Sequence, residues 1–155
     1  MGPELSNADV QTYDHDGEAV SLHLSKVRGA NLQIRNRLKG QGVTNSRQLL
    51  HAAGPLRARI ILSGKTGIDM ASLAYIVKRA DLARVKGIGA TFADMLEVIG
   101  ADNVETLSGW DADALHRTLL DFNQCERFAR RSPTLDEVAA WVDQAKELPV
   151  LIEHV

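Results

Sequence analysis

The chain has 155 residues, 45% of them apolar and 25% charged, the proportions of an ordinary soluble protein with room for one compact domain or two small halves sharing a core. No apolar run approaches the roughly 20 residues of a membrane span and the acidic N-terminus lacks the basic and apolar regions of a signal peptide, so the expected location is cytoplasmic, with no membrane partner. The net charge of −2 conceals three sorted blocks, −5 over residues 1–22, +11 over 23–88 and −8 over 89–155, and such sorting points to contact with a polyanion.

Residues 1–18 read as an acidic flexible tail, 19–84 as a first repeat and 85–149 as a second repeat with the C-terminal helices, the whole forming one compact unit. Around Val27, Gly29 punctuates the chain before a helical stretch containing Ile34 and Leu38, which Gly42 closes. Asn45, with Gln48 three residues on, resembles a capping box ahead of Leu49 and Leu50, and Gly54-Pro55 ends that short helix and opens the next. Leu56 to Leu62 continue helically, and Gly64 to Gly67 are expected to break the chain. Leu73, Ile76, Val77 and Ala80 then recur at helical spacing and lead toward Val85.

The second half repeats this order. Val85-Lys86-Gly87-Ile88-Gly89 precedes a helix with Phe92, Leu96 and Ile99 on its apolar face, Gly100 closes it and Asn103 caps a short helix. Ser108 and Asp111 precede Leu115, Leu119 and Phe122 on another amphipathic helix. Thr134 and Glu137 have capping-box spacing before Leu135, Val138, Val142 and Ala145, and Pro149 ends this last helix. No alternating strand pattern is present, so the fold class is all-α, with about eight to ten short helices.

Without a gap, residues 27–49 align on 85–107 with six identities: Val27/Val85, Gly29/Gly87, Leu38/Leu96, Gly42/Gly100, Asn45/Asn103 and Leu49/Leu107. They fall at turn glycines, helix-starting asparagines and core leucines, the places where a repeated unit is most constrained. In this reading the two glycines of Gly87-Ile88-Gly89 supply the positive φ angles of a sharp turn. The helix that follows presents backbone N–H groups and the positive end of its dipole to a phosphate. In the first copy Ala30 and Asn31 stand for the apolar residue and second glycine, and Asn31 is expected to keep the turn by tolerating a left-handed conformation.

The run Val85-Lys86-Gly87-Ile88-Gly89, with Ala93 and Leu96 following, resembles the helix-hairpin-helix motif of DNA-binding proteins. The wider pattern, including Lys65-Thr66-Gly67-Ile68, Arg130-Arg131-Ser132-Pro133 and Ala145-Lys146-Glu147-Leu148-Pro149, resembles a bacterial family of tandem helix-hairpin-helix proteins known only as a domain of unknown function. The resemblance implies two helix-hairpin-helix repeats in a SAM-like bundle plus C-terminal amphipathic helices. It also implies nonspecific binding of duplex DNA by hairpin N–H groups on phosphates, with paired motifs disposed about a pseudo-twofold axis. Carried onto this chain, the binding residues are Lys86, Gly87, Ile88, Gly89 and Ala90 in the second copy and Arg28, Gly29, Asn31, Arg35 and Lys39 in the first. Arg35 and Lys39 are four apart, so a common face with Arg28 is expected. Lys78, Arg79, Arg84 and Lys86 form a second basic cluster in the sequence.

Asp94, Glu97, Asp102 and Glu105 follow the second hairpin and oppose a duplex lying along its helix. That conflict supports the alternative of a protein-interaction or self-assembly module, in which acidic and basic faces meet. Catalysis has little support. His15, His23, His51, His116 and His154 are scattered singly, without metal-ligand spacing, and Asp111, Asp113, Asp136 and Glu137 read as helix-start acids. Ser63-Gly64-Lys65-Thr66 lacks the first glycine and the strand of a phosphate-binding loop. Trp110 and Trp141 read as core or boundary aromatics. The single Cys125 reads as a small buried or half-buried thiol, with no disulfide or cysteine-based zinc site. No enzyme activity, cofactor or metal is expected.

Overall fold

A computed structural model describes residues 21–155, so the acidic tail of residues 1–18 lies outside the described residues. Among the latter there are eight α-helices and no strand: α1 Leu32–Lys39, α2 Ser46–Ala53, α3 Leu56–Thr66, α4 Met70–Leu82, α5 Ala90–Val98, α6 Val104–Ser108, α7 Ala112–Glu126 and α8 Leu135–Glu147. The chain divides into two compact units. The first runs up to Arg84 and takes in Leu151–Val155; the second is Val85–Val150. Among the described residues no helix is long and apolar enough to cross a membrane.

In the N-terminal unit the core gathers Leu24, Leu38 and Leu49 with the inward face of α4, where Leu73, Ile76, Val77 and Ala80 are buried. A 3-10 turn, Leu24–Lys26, leads into Gly29, whose φ of +92° places it in the region that glycine alone enters easily. α1 then starts at an Asn31 cap, whose side chain accepts from the Ile34 N–H. α1 closes on Gly42 at φ +79° with a hydrogen bond from the Val43 N–H to the Leu38 carbonyl, a Schellman-type ending. α2 starts at Asn45, which accepts from the Gln48 N–H. The Gln48 carboxamide accepts from the Thr44 N–H and so clips the residue before the cap, a variation on the expected capping box.

The C-terminal unit repeats this local plan. Gly87 has φ +95°, α5 is followed by Gly100 at φ +92°, and the Ala101 N–H reaches the Leu96 carbonyl as Val43 reaches Leu38. Asn103 caps α6 by accepting from the Thr106 N–H. Asp111 caps α7, and Thr134 with Glu137 forms a complete capping box on α8. Leu96, Leu107, Leu115, Leu119, Val138, Trp141 and Val142 make the buried interior of this unit.

Four details differ from the sequence expectation. α3 runs through Gly64 and stops only at Gly67, φ +75°, because a single helix-interior glycine costs only about 1 kcal/mol. Neither Gly89 (φ −83°) nor Asn31 (φ −69°) is left-handed: both occupy an extended helix-cap position, so the turn needs one positive-φ glycine, not two. Asparagine suits that position as a capping acceptor. Cys125, on the outward face of α7, is exposed.

Candidate nucleic-acid interface

The two glycine turns are built alike. Val27 and Val85 are buried before the glycine, Ala30 and Ile88 are buried after it, and Arg28 and Lys86 stand exposed between them. Ala30 thus fills the apolar position despite its size. Each glycine also carries an aromatic ring: a Cβ on Gly29 would lie 2.7 Å from the Tyr75 ring, and one on Gly87 would lie 3.2 Å from the Trp141 Nε1. A positive φ and a covering ring together disfavour a side chain at both positions, more severely at Gly29 than at Gly87.

Beyond the glycine the turns differ. At the first, the Asn31 side chain occupies the Ile34 N–H, and the Arg35 guanidinium donates to the Ala30 carbonyl at 2.7 Å. At the second, Gly89 offers no side-chain cap to α5. The Gln144 carboxamide of α8 instead clasps Lys86, accepting from its N–H at 2.8 Å and donating to its carbonyl at 3.1 Å. Lys86 therefore presents its side chain outward while its peptide N–H is held internally.

Trp141 is in turn braced. Phe92 packs against it with ring centroids 5.4 Å apart, and the Arg131 guanidinium lies 5.3 Å from the Phe92 centroid. Arg131 donates to both Glu137 oxygens, at 2.7 and 2.9 Å. These donations, joined by the Thr134 N–H, hold the Glu137 carboxyl at a pKa of about 2. Sequence reasoning missed Tyr75, Trp141 and Gln144 as turn supports. The spacing of Tyr75 from Gly29 is unlike that of Trp141 from Gly87, so no repeat signal marks them.

The predicted basic face is partly dismantled by burial. Arg59 is fully buried and donates to the carbonyls of Ala53, Gly54, Glu153 and His154, which ties Leu151–Val155 to the α2–α3 corner. Burial lowers its pKa, with the Glu153 carboxylate opposing that shift. Arg79 and Arg84 are also buried, and Arg84 is paired with buried Asp81 at 2.8 Å. Lys78, Arg79 and Arg84 thus do not form one exposed cluster.

What remains is still strongly positive. The described N-terminal unit has 12 Lys and Arg against three acids, or +9, whereas the C-terminal unit has 6 against 12, or −6. Arg35 and Lys39 meet on the wall of one groove, as their spacing implies; Arg28 does not line it. Asp94 and Glu97 lie on α5, so the second turn leads into an acidic helix. Among the described residues no group of His, Cys, Asp and Glu could hold a metal ion.

No curated protein and no solved structure matches the chain at a significant level. Residues 28–148, which span both glycine turns and α8, match the family described as a domain of unknown function, DUF4332, and the chain belongs to that family.

Proposed function

We propose that the protein binds the phosphate backbone of duplex DNA without reading sequence and without catalysis, through two helix-hairpin-helix elements over residues 27–39 and 85–98. The observation that carries this reading is the charge left at the surface once burial is counted. Nine of the 12 Lys and Arg among the described residues of the N-terminal unit reach the surface, where Asp69 and Glu153 are the exposed acids among those residues. Arg28 rises beside Gly29, while Arg35 and Lys39 follow on α1. Such a surface attracts a polyanion by counterion release, which needs no base contact.

In the same reading Gly87, Ile88, Gly89 and Ala90 give the second turn a small, side-chain-poor approach to a phosphate, with Lys86 alongside. That turn contributes less, because α5 carries Asp94 and Glu97. A mobility-shift titration against unrelated duplexes at low salt tests the proposal. Comparable binding to every sequence supports it, and no shift at low salt overturns it.

A second reading is supported by the opposite charges of the described residues of the two units, +9 and −6. Complementary surfaces of that kind suit head-to-tail self-association or an acidic or basic protein partner. Light scattering without DNA separates the two. Mass that rises as salt falls favours assembly, and a salt-independent monomer removes self-association.

A further inference from the structure

A groove of about 190 Å³ lies in the N-terminal unit along the C-terminal half of α1. Arg35, Asn36 and Lys39 form its helical wall, His23 and Thr44 face them, and Leu24 and Val43 complete the lining. The far wall is fixed by backbone pairing. The Ser46 N–H donates to the Leu22 carbonyl at 2.7 Å and the Leu24 N–H to the Thr44 carbonyl at 3.1 Å, which holds His23 against Asn45 in an isolated antiparallel bridge.

Its polar groups are donors with little to donate to. The Ser25 N–H, which can only donate, points at His23 Nδ1 at 3.1 Å, so in the neutral ring Nδ1 accepts and Nε2 carries the proton. Arg35 uses one nitrogen on the Ala30 carbonyl, and its other guanidinium donors have no partner among the described residues. Neither the Lys39 ammonium nor the Asn36 carboxamide is engaged by any described residue. No acid lines the groove, and none occurs between Ala19 and Ile68, a stretch with nine Lys and Arg.

We infer that this groove is a binding site for a phosphomonoester group, held by Arg35, Asn36, Lys39 and His23. Two positive charges, with no carboxylate beside them among the described residues, match the −1.5 to −2 of a phosphomonoester near pH 7 better than the single charge of a phosphodiester in a continuous backbone. At about 190 Å³ the groove has room for one terminal phosphate and the first atoms of its ester but not for a duplex. Arginine supplies directional donors and lysine a mobile charge, a usual division of labour on phosphate. The site does not depend on either glycine turn gripping DNA.

The test uses the full chain, labelled with nitrogen-15 and titrated with inorganic phosphate at constant ionic strength. Saturable shifts confined to His23, Arg35, Asn36, Lys39 and Thr44 are expected, with affinity about tenfold weaker in Lys39→Gln and several-fold weaker in Asn36→Leu. Neither residue has a structural partner to lose, so both variants should fold. Shifts spread without saturation over other basic residues such as Arg57 and Lys65, or an unchanged affinity in Lys39→Gln, overturn the site.

A second arm compares duplexes of one sequence with a 5′-phosphate or a 5′-hydroxyl. Tighter binding of the phosphorylated end by the wild type, abolished in Lys39→Gln, identifies a nucleic-acid terminus as the source. Saturable phosphate binding without that preference upholds the site and assigns it to a small phosphate ester. Binding of the 5′-hydroxyl duplex reports separately on the proposed backbone function.

Discussion

Replacing Gly29 by alanine is expected to destabilise the N-terminal unit by about 2–4 kcal/mol, and the same change at Gly42 by only about 1 kcal/mol. Both glycines have positive φ, +92° and +79°, where an L-residue costs about 1–2 kcal/mol. The loss of unfolded-chain freedom returns about 0.4–1 kcal/mol of this at each site. The difference is packing. A Cβ at Gly42 meets nothing within 4 Å, whereas at Gly29 it meets two Tyr75 ring carbons at 2.7 Å and the Ile76 Cγ2 at 3.2 Å. Those are mid-ring atoms and a core methyl that cannot swing aside, and overpacking of that kind costs about 1–3 kcal/mol more.

Urea unfolding measures both. At a slope of about 2 kcal/mol/M the midpoint should fall by about 1–2 M for Gly29→Ala and by about 0.5 M for Gly42→Ala, with the slope unchanged. In a Tyr75→Ala background most of the excess at Gly29 should disappear, because the two sites are in contact and couple. Equal losses at the two glycines, or an excess that survives removal of the ring, would refute the account of why this turn requires glycine.

Arg59→Ala should cost at least about 3 kcal/mol by urea unfolding, since it strips charged donors from four carbonyls and empties a buried volume. Gln144→Ala should cost about 1–2 kcal/mol through its two bonds to the Lys86 peptide, with faster amide exchange at Lys86 as the local readout. Glu137 has a folded pKa of about 2, below the ordinary 4.5. Its stabilisation is therefore complete above about pH 4.5 and lost as pH falls toward 2. The pair is exposed and screened by solvent, so this contribution is small, and Glu137→Gln should flatten that part of the acid-unfolding profile.

The repeat was legible because its six identities fall where backbone geometry leaves little choice. Gly29 and Gly87, Gly42 and Gly100, Asn45 and Asn103 occupy matching turns and caps, and Leu38, Leu96, Leu49 and Leu107 are fully buried. The helix starts at Asp111 and Thr134 were readable for the same reason: a side-chain acceptor placed three residues ahead of an orphan N–H. Burial of cations was not legible. Arg59 sits in the sequence like any surface base, and only the return of residues 151–155 to Gly54 makes it a core residue. The rings over Gly29 and Gly87 depend on how α4 and α8 pack, which no local spacing encodes. His23 is likewise invisible as a groove residue until the 22–24 segment pairs beside Thr44.

The measurement that bears most directly on the central claim is the salt dependence of binding to a fluorescent 5′-hydroxyl duplex by the full chain and two charge variants. With about three to five phosphates neutralised, log K should fall with log salt at a slope of about −3 to −4.5. Arg28→Glu with Arg47→Glu should weaken binding on every sequence and flatten the slope by about 1–2, while Arg117→Glu with Lys146→Glu, in the acidic unit, should leave both nearly unchanged. A slope near zero, or equal losses from the two pairs, would contradict a duplex-binding surface on the N-terminal unit.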